Sequence, residues 1–106
     1  MIFNLTTPIL EALVLSIINR QDTYGYQITQ DVRKAVSISE STLYPILRRL
    51  QKEMCLEVYD KEFQGRNRRY YKITSKGKKQ LELYLEEWKL YKKNIESVFS
   101  GGEKDE

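Results

Sequence analysis

The hydrophobic period of this chain changes twice, and those changes restrict the fold more than any other feature. Up to Leu50 apolar residues recur every three or four positions, the repeat of helices buried along one face. After Met54 the repeat shortens toward two: Leu56, Val58 and Asp60 alternate with Glu57 and Tyr59, and Tyr71 and Ile73 share one side of the returning stretch RRYYKIT. A side-chain period of two belongs to a strand. From about Lys76 the helical repeat resumes and holds to Val98.

Each segment carries its own boundary signals. Pro8 suits the first turn of a helix, where its missing N–H has no partner anyway. Ile9, Leu10, Leu13, Val14, Ile17 and Ile18 continue that helix to near Asn19. Its apolar face is wide, so it is either central to the core or covered by another chain. Asp22 or Thr23 can cap a second helix carried by Tyr24, Ile28 and Val32, fading after Lys34, with Gly25 permitting the close approach of a backbone. Ser39 can cap the third, within SISESTLYPILRRL, whose buried stripe is Leu43, Ile46, Leu47 and Leu50. KEFQGRN, with Gly65 and Asn67, is expected to be the tight connection of a hairpin. Thr74 or Ser75 caps the last helix, with Gly77 in its first turns and a stripe of Leu81, Leu85 or Tyr84, Trp88, Tyr91, Ile95 and Val98.

Three helices, a two-stranded wing and a long helix make a mainly α fold with a β-hairpin, the winged helix-turn-helix plan. The expected division is a winged helix-turn-helix domain over residues 1–74, a C-terminal dimerisation helix over 75–99 and a disordered tail over 100–106. At 106 residues the chain is one domain's worth, and its modest core gains from a second copy. The last helix outruns the domain. Two such helices crossing, and packing on the other chain's first helix, would bury Ile9, Leu13, Leu81, Leu85, Trp88, Ile95 and Val98 in a homodimer.

Composition removes several classes of function. Histidine is absent and Cys55 is the single cysteine, so one chain can form neither a Cys/His zinc site nor an internal disulfide. Cys55 is expected to be a buried thiol. No run approaches the ~20 apolar residues of a membrane span, and MIFNLTTPIL has no basic n-region, so a cytoplasmic protein is expected. There is no phosphate-binding glycine loop and no histidine for general-base work, and Glu86 and Glu87 are neighbours on a helix, not a facing pair. Neither an enzyme nor a cofactor or metal is expected.

The distribution of charge is more telling than its total of +3. From Lys61 to Lys79 stand eight basic residues against the single acid Glu62, a net of +7. Such a run is either a solvated surface or a footprint for phosphate, and here it abuts a helix-turn-helix pattern. A hairpin tip with Arg66, Arg68 and Arg69 suits backbone phosphates or a minor groove. In the third helix Pro45 removes an N–H bond to the Ser41 carbonyl, fixing a first turn that presents Ser41, Thr42 and Tyr44. Short hydroxyl side chains suit base edges, Arg48 and Arg49 can reach phosphate or guanine, and the helix N-terminus favours an anion. The alternatives are that Tyr44 packs on the first helix and that Pro45 only kinks the third.

YGYQI (Tyr24–Ile28), STLYPILRRL (Ser41–Leu50) and GRNRRYYKITSKG (Gly65–Gly77), in this order, resemble the PadR family of bacterial transcription regulators. The resemblance covers roughly Thr7 to Glu96 and fits the smaller subfamily with one C-terminal helix. It implies a homodimeric repressor of double-stranded operator DNA. It also implies a third helix in the major groove (Ser41, Thr42, Tyr44, Pro45, Arg48), a wing on the backbone or minor groove (Arg66, Arg68, Arg69), and Tyr24 and Tyr26 near phosphate. The chain departs from the family where glycine is common, at Ser41 and Met54. Met54 must therefore take a left-handed conformation at a cost of ~1 kcal/mol, or the helix exit differs. Asn67, interrupting a run that is often all basic, is expected to serve the turn.

Trp88, with Tyr84 and Tyr91, is interface core on the plain reading of an aromatic stripe. In some small members that this chain resembles, a tryptophan on this helix lines an opening at the dimer centre that stacks flat molecules. Trp88, Tyr84 and Tyr91 are the expected ligand residues, and Glu86 or Glu87 beside them favours a small aromatic or cationic effector. The competing functions are a winged-helix protein-contact module and a DNA-binding regulator that takes no ligand.

Overall fold

Helix α1 (Thr7–Arg20) begins at the proline-bearing turn and buries Glu11, Val14, Leu15, Ile17 and Ile18. The computed structural model describes Phe3 and residues 6–101. After α1 come a two-residue strand β1 (Thr23–Tyr24), α2 (Gly25–Arg33), α3 (Glu40–Lys52), the hairpin β2 (Leu56–Phe63) and β3 (Arg66–Ile73), and α4 (Ser75–Phe99). The three strands form one antiparallel sheet in the order β1-β3-β2.

Strand β1 is a correction to the sequence reading, which took this stretch for a helix cap. Thr23 and Tyr24 instead pair with Tyr71 and Tyr70 on the free edge of β3. Two residues are too few to show a period, and only the neighbouring strand specifies them. Helix α2 has Tyr24 at its N-cap without a side-chain bond.

The hairpin is also longer than expected. Glu62, Phe63, Arg66 and Asn67 all belong to the ladder, so the connection shrinks to Gln64 and Gly65. Both have positive φ, 52° and 80°, the signature of a type I′ turn, whose twist matches that of the strands. Asn67 pairs with Glu62 and does not serve the turn. Polar residues on both faces near the tip hid the period there.

The exit of α3 bears out the left-handed alternative at Met54, whose φ is 67°. The Cys55 N–H donates to the Leu50 carbonyl at 2.8 Å and the Met54 N–H to that of Gln51 at 3.0 Å, which together form a Schellman motif. Cys55 and Leu50 are both buried, supplying its apolar contact. Cys55 is the buried thiol that was expected, and burial pushes it above its ordinary range.

Thr74 ties this exit to the last helix. Its hydroxyl donates to the Met54 carbonyl at 2.6 Å and accepts from the Gly77 N–H at 3.0 Å as the cap of α4.

Leu15, Ile18, Ile28, Leu43, Leu47 and Leu50 are fully buried, each contributing about 1.5–3 kcal/mol. Leu81 joins them at 5 % exposure, which corrects its assignment to a dimer interface: the first turns of α4 pack on α1 within the same chain. The expected boundary at residue 74 therefore falls on a cap, not between independent units. Beyond Tyr84 the helix leaves the core. Ser100 and Gly101, expected in the tail, close α4 with Gly101 at φ 96°, and residues 102–106 lie outside the described residues.

Candidate nucleic-acid interface

Ser39 organises the start of α3. Its hydroxyl accepts from the Thr42 N–H at 3.3 Å and lies 2.9 Å from the Ser41 hydroxyl and 3.1 Å from that of Thr42. The Arg33 guanidinium fixes the preceding turn by donating to the Ile38 carbonyl at 2.8 Å. Because the buried stripe is Leu43, Ile46, Leu47 and Leu50, helical geometry leaves Ser41, Thr42, Pro45, Arg48 and Lys52 exposed on the other side. The helix runs through Pro45 without a break, and its ring points to solvent, where it crowds nothing in the core. Lys52 was missed in the sequence, although its spacing of four from Arg48 places it on the same face. The expected anion site at the helix N-terminus is opposed by Glu40, exposed in the first turn.

Two other residues of α3, Tyr44 and the half-exposed Arg49, touch the rest of the chain. Tyr44 is half-buried and packs toward the core, and a Cβ at Gly25 would come within 2.5 Å of its hydroxyl. The close approach that Gly25 permits is thus to a side chain, not to backbone. Arg49 lies 2.8 Å from Glu11, a residue of α1 that is 1 % exposed. Sequence reading missed Glu11 because a lone acid in an apolar helix has no periodic signal.

The three wing arginines part company. Arg66 is exposed at the tip beside the turn. Arg68 lies between two rings, its guanidinium carbon 3.6 Å from the Phe63 centroid and 3.9 Å from that of Tyr24, with a hydrogen bond to the Tyr70 hydroxyl at 3.3 Å. Arg69 is on the opposite face of β3, 3.8 Å from Asp60. The alternation of strand residues forces this split, and a count of charges cannot show it. Tyr70 stacks on Tyr59 and meets Tyr24 edge-on, each at 5.6 Å, and the Tyr59 hydroxyl donates to Asp22 at 2.7 Å. These contacts brace the wing against the start of α2. Tyr24 is consumed in that brace, whereas Tyr26 is 59 % exposed.

A cavity of about 510 Å³ lies between α1 and α4. Pro8, Ile9 and Leu13 form one wall, and Tyr84, Trp88 and Tyr91 the other. The Trp88 and Tyr91 rings are 6.1 Å apart. Of the two candidate acids Glu87 lines this space, and Glu86 does not.

An exposed helix of a helix-turn-helix beside a braced basic wing defines a winged-helix DNA-binding protein. Residues 14–83 match the model of the transcriptional regulator PadR-like family. The protein smu.1704 of Streptococcus mutans is 40 % identical, with each chain covered in full and a TM-score of 0.91. A PadR family transcription regulator of Clostridium difficile is 31 % identical over 85 % of this chain and 97 % of its own, with a TM-score of 0.79. An uncharacterised Lysinibacillus sphaericus protein is 35 % identical over 97 residues, 87 % of this chain and 89 % of its own. The chain belongs to the PadR-like family and is a DNA-binding transcriptional regulator. Among the described residues no helix is long and apolar enough to cross a membrane.

Proposed function

We propose that the protein is a homodimeric repressor that binds an inverted-repeat operator and is released by a flat aromatic, cationic effector. The observation that carries this reading is the exposed face of α3, where Ser41, Thr42 and Arg48 stand free of the core. In this reading those side chains contact base edges, Lys52 and Tyr26 meet phosphate, and Arg66 follows the backbone or minor groove. Arg68 and Arg49 serve posture. Arg69, turned to the other face, has a lesser part, and Tyr44 and Pro45 shape the helix that carries the contacts. The exposed stripe of α4 supports dimerisation: Leu85, Trp88, Ile95 and Val98 are 41, 45, 39 and 75 % exposed. The α1–α4 cavity supports the effector, with Trp88 and Tyr91 to stack it and Glu87 to meet its charge.

Arginine substitutions test the interface. Arg66→Ala is expected to weaken binding to every DNA sequence and to lower the salt slope by about 1. Arg48→Ala is expected to cost roughly 1–3 kcal/mol and to relax preference at one base position. Arg68→Ala is expected to leave the salt slope near that of the parent, because its charge already lies on rings. Fluorescence anisotropy at several salt concentrations reads all three. Parent-like affinity and slope for Arg66→Ala would remove the wing from the interface.

A further inference from the structure

We propose that Glu11 couples the α1–α4 cavity to the DNA-reading helix through a relay of Tyr84, Glu11 and Arg49. The proposal rests on the reading of α3 as the helix that meets DNA, and it supplies a route for regulation. Glu11 sits at the junction of three helices and is 1 % exposed. A carboxyl group in such a place is costly unless both oxygens are met, so packing alone favours an apolar residue. Its two oxygens are met from different directions. Oε1 accepts from the Tyr84 hydroxyl of α4 at 2.5 Å. Among the described residues Oε2 has no hydrogen-bond partner; it faces the half-exposed Arg49 guanidinium of α3 at 2.8 Å, which also lies 3.8 Å from Glu53.

Each end of the relay also belongs to a functional surface. Tyr84 lines the cavity, one turn from Trp88. Arg49 follows Arg48 directly, so its hold on Glu11 helps to set the rotation of the reading face. Burial and the bond to Glu11 keep the Tyr84 hydroxyl above the usual phenol range, so at neutral pH it donates. An occupant that shifts the Tyr84 ring withdraws this donor. Among the described residues Arg49 is then the one remaining partner of a buried carboxyl, and α3 turns toward it. By linkage, DNA that draws Arg49 outward loosens Tyr84 and changes the cavity wall.

That reciprocity permits a test without a known effector. Trp88 is the single tryptophan and stands on the cavity wall. Labelled promoter DNA is titrated into the protein while DNA anisotropy and Trp88 emission are followed together. In the parent, Trp88 emission is expected to shift in step with binding. In Glu11→Gln and in Tyr84→Phe the DNA still binds, the shift is lost, and operator affinity changes by roughly two- to thirtyfold. The double variant is expected to differ little from either single one, as for residues in one network. Tyr84→Phe removes only a hydroxyl and preserves the readout if Glu11→Gln weakens the core. An unmoved Trp88 at saturating operator, or a shift retained in both variants, overturns the relay. If anisotropy shows no selective DNA binding by the parent, the reading of α3 fails first and the relay falls with it.

Discussion

Alanine at position 77 is expected to destabilise the protein by about 3 kcal/mol, although glycine-to-alanine changes inside helices usually stabilise. A Cβ at Gly77 would lie 2.3 Å from the Cys55 carbonyl oxygen and 2.8 Å from a side-chain carbon of Ile73. The nearer contact is backbone, so no rotamer change relieves it. The same carbonyl accepts the Thr74 N–H at 3.1 Å, and Thr74 caps α4. Relief by moving the helix therefore strains the cap and the exit of α3 together. Denaturant unfolding reads the loss as a lower midpoint with a similar slope. A midpoint equal to or above that of the parent would show that the junction of α3, the wing and α4 is looser than described.

The second large effect is expected on α4. Glutamate at both Trp88 and Ile95 would place charge in the middle of the exposed apolar stripe while leaving Leu81 and the core untouched. Contiguous apolar surface of this kind marks an interaction site. The double variant is expected to sediment as a monomer and to keep its helical circular dichroism. Its operator affinity is expected to fall by roughly 100-fold or more, because two linked half-site contacts become independent. A parent that sediments as a monomer, or a variant that stays dimeric, would move the dimer contact elsewhere.

Those effects also show what the sequence could and could not say. The four helices and the hairpin were legible because Leu43, Ile46, Leu47 and Leu50, or Tyr71 and Ile73, repeat with periods that only one secondary structure satisfies. The cap Ser39 was legible for the same local reason, and that of α4 was narrowed to Thr74 or Ser75, of which Thr74 holds the position. Strand β1 was not, since its pairing depends on residues about fifty positions away. Glu11 was not, since only tertiary packing brings Tyr84 and Arg49 to it. The candidate interface was legible as a set of residue types but not as directions. Sequence placed Arg66, Arg68 and Arg69 together at a tip. The pleat and the rings of Tyr24 and Phe63 leave Arg66 alone beside the turn.

The most direct test of the whole account is binding to the DNA upstream of the protein's own gene, measured by anisotropy and footprinting at two salt concentrations against random DNA. The account predicts a protected inverted repeat, bound at least about 10³-fold more tightly than random sequence. Equal, weak and strongly salt-dependent binding to both DNAs would contradict it, leaving a basic surface with no operator in that region.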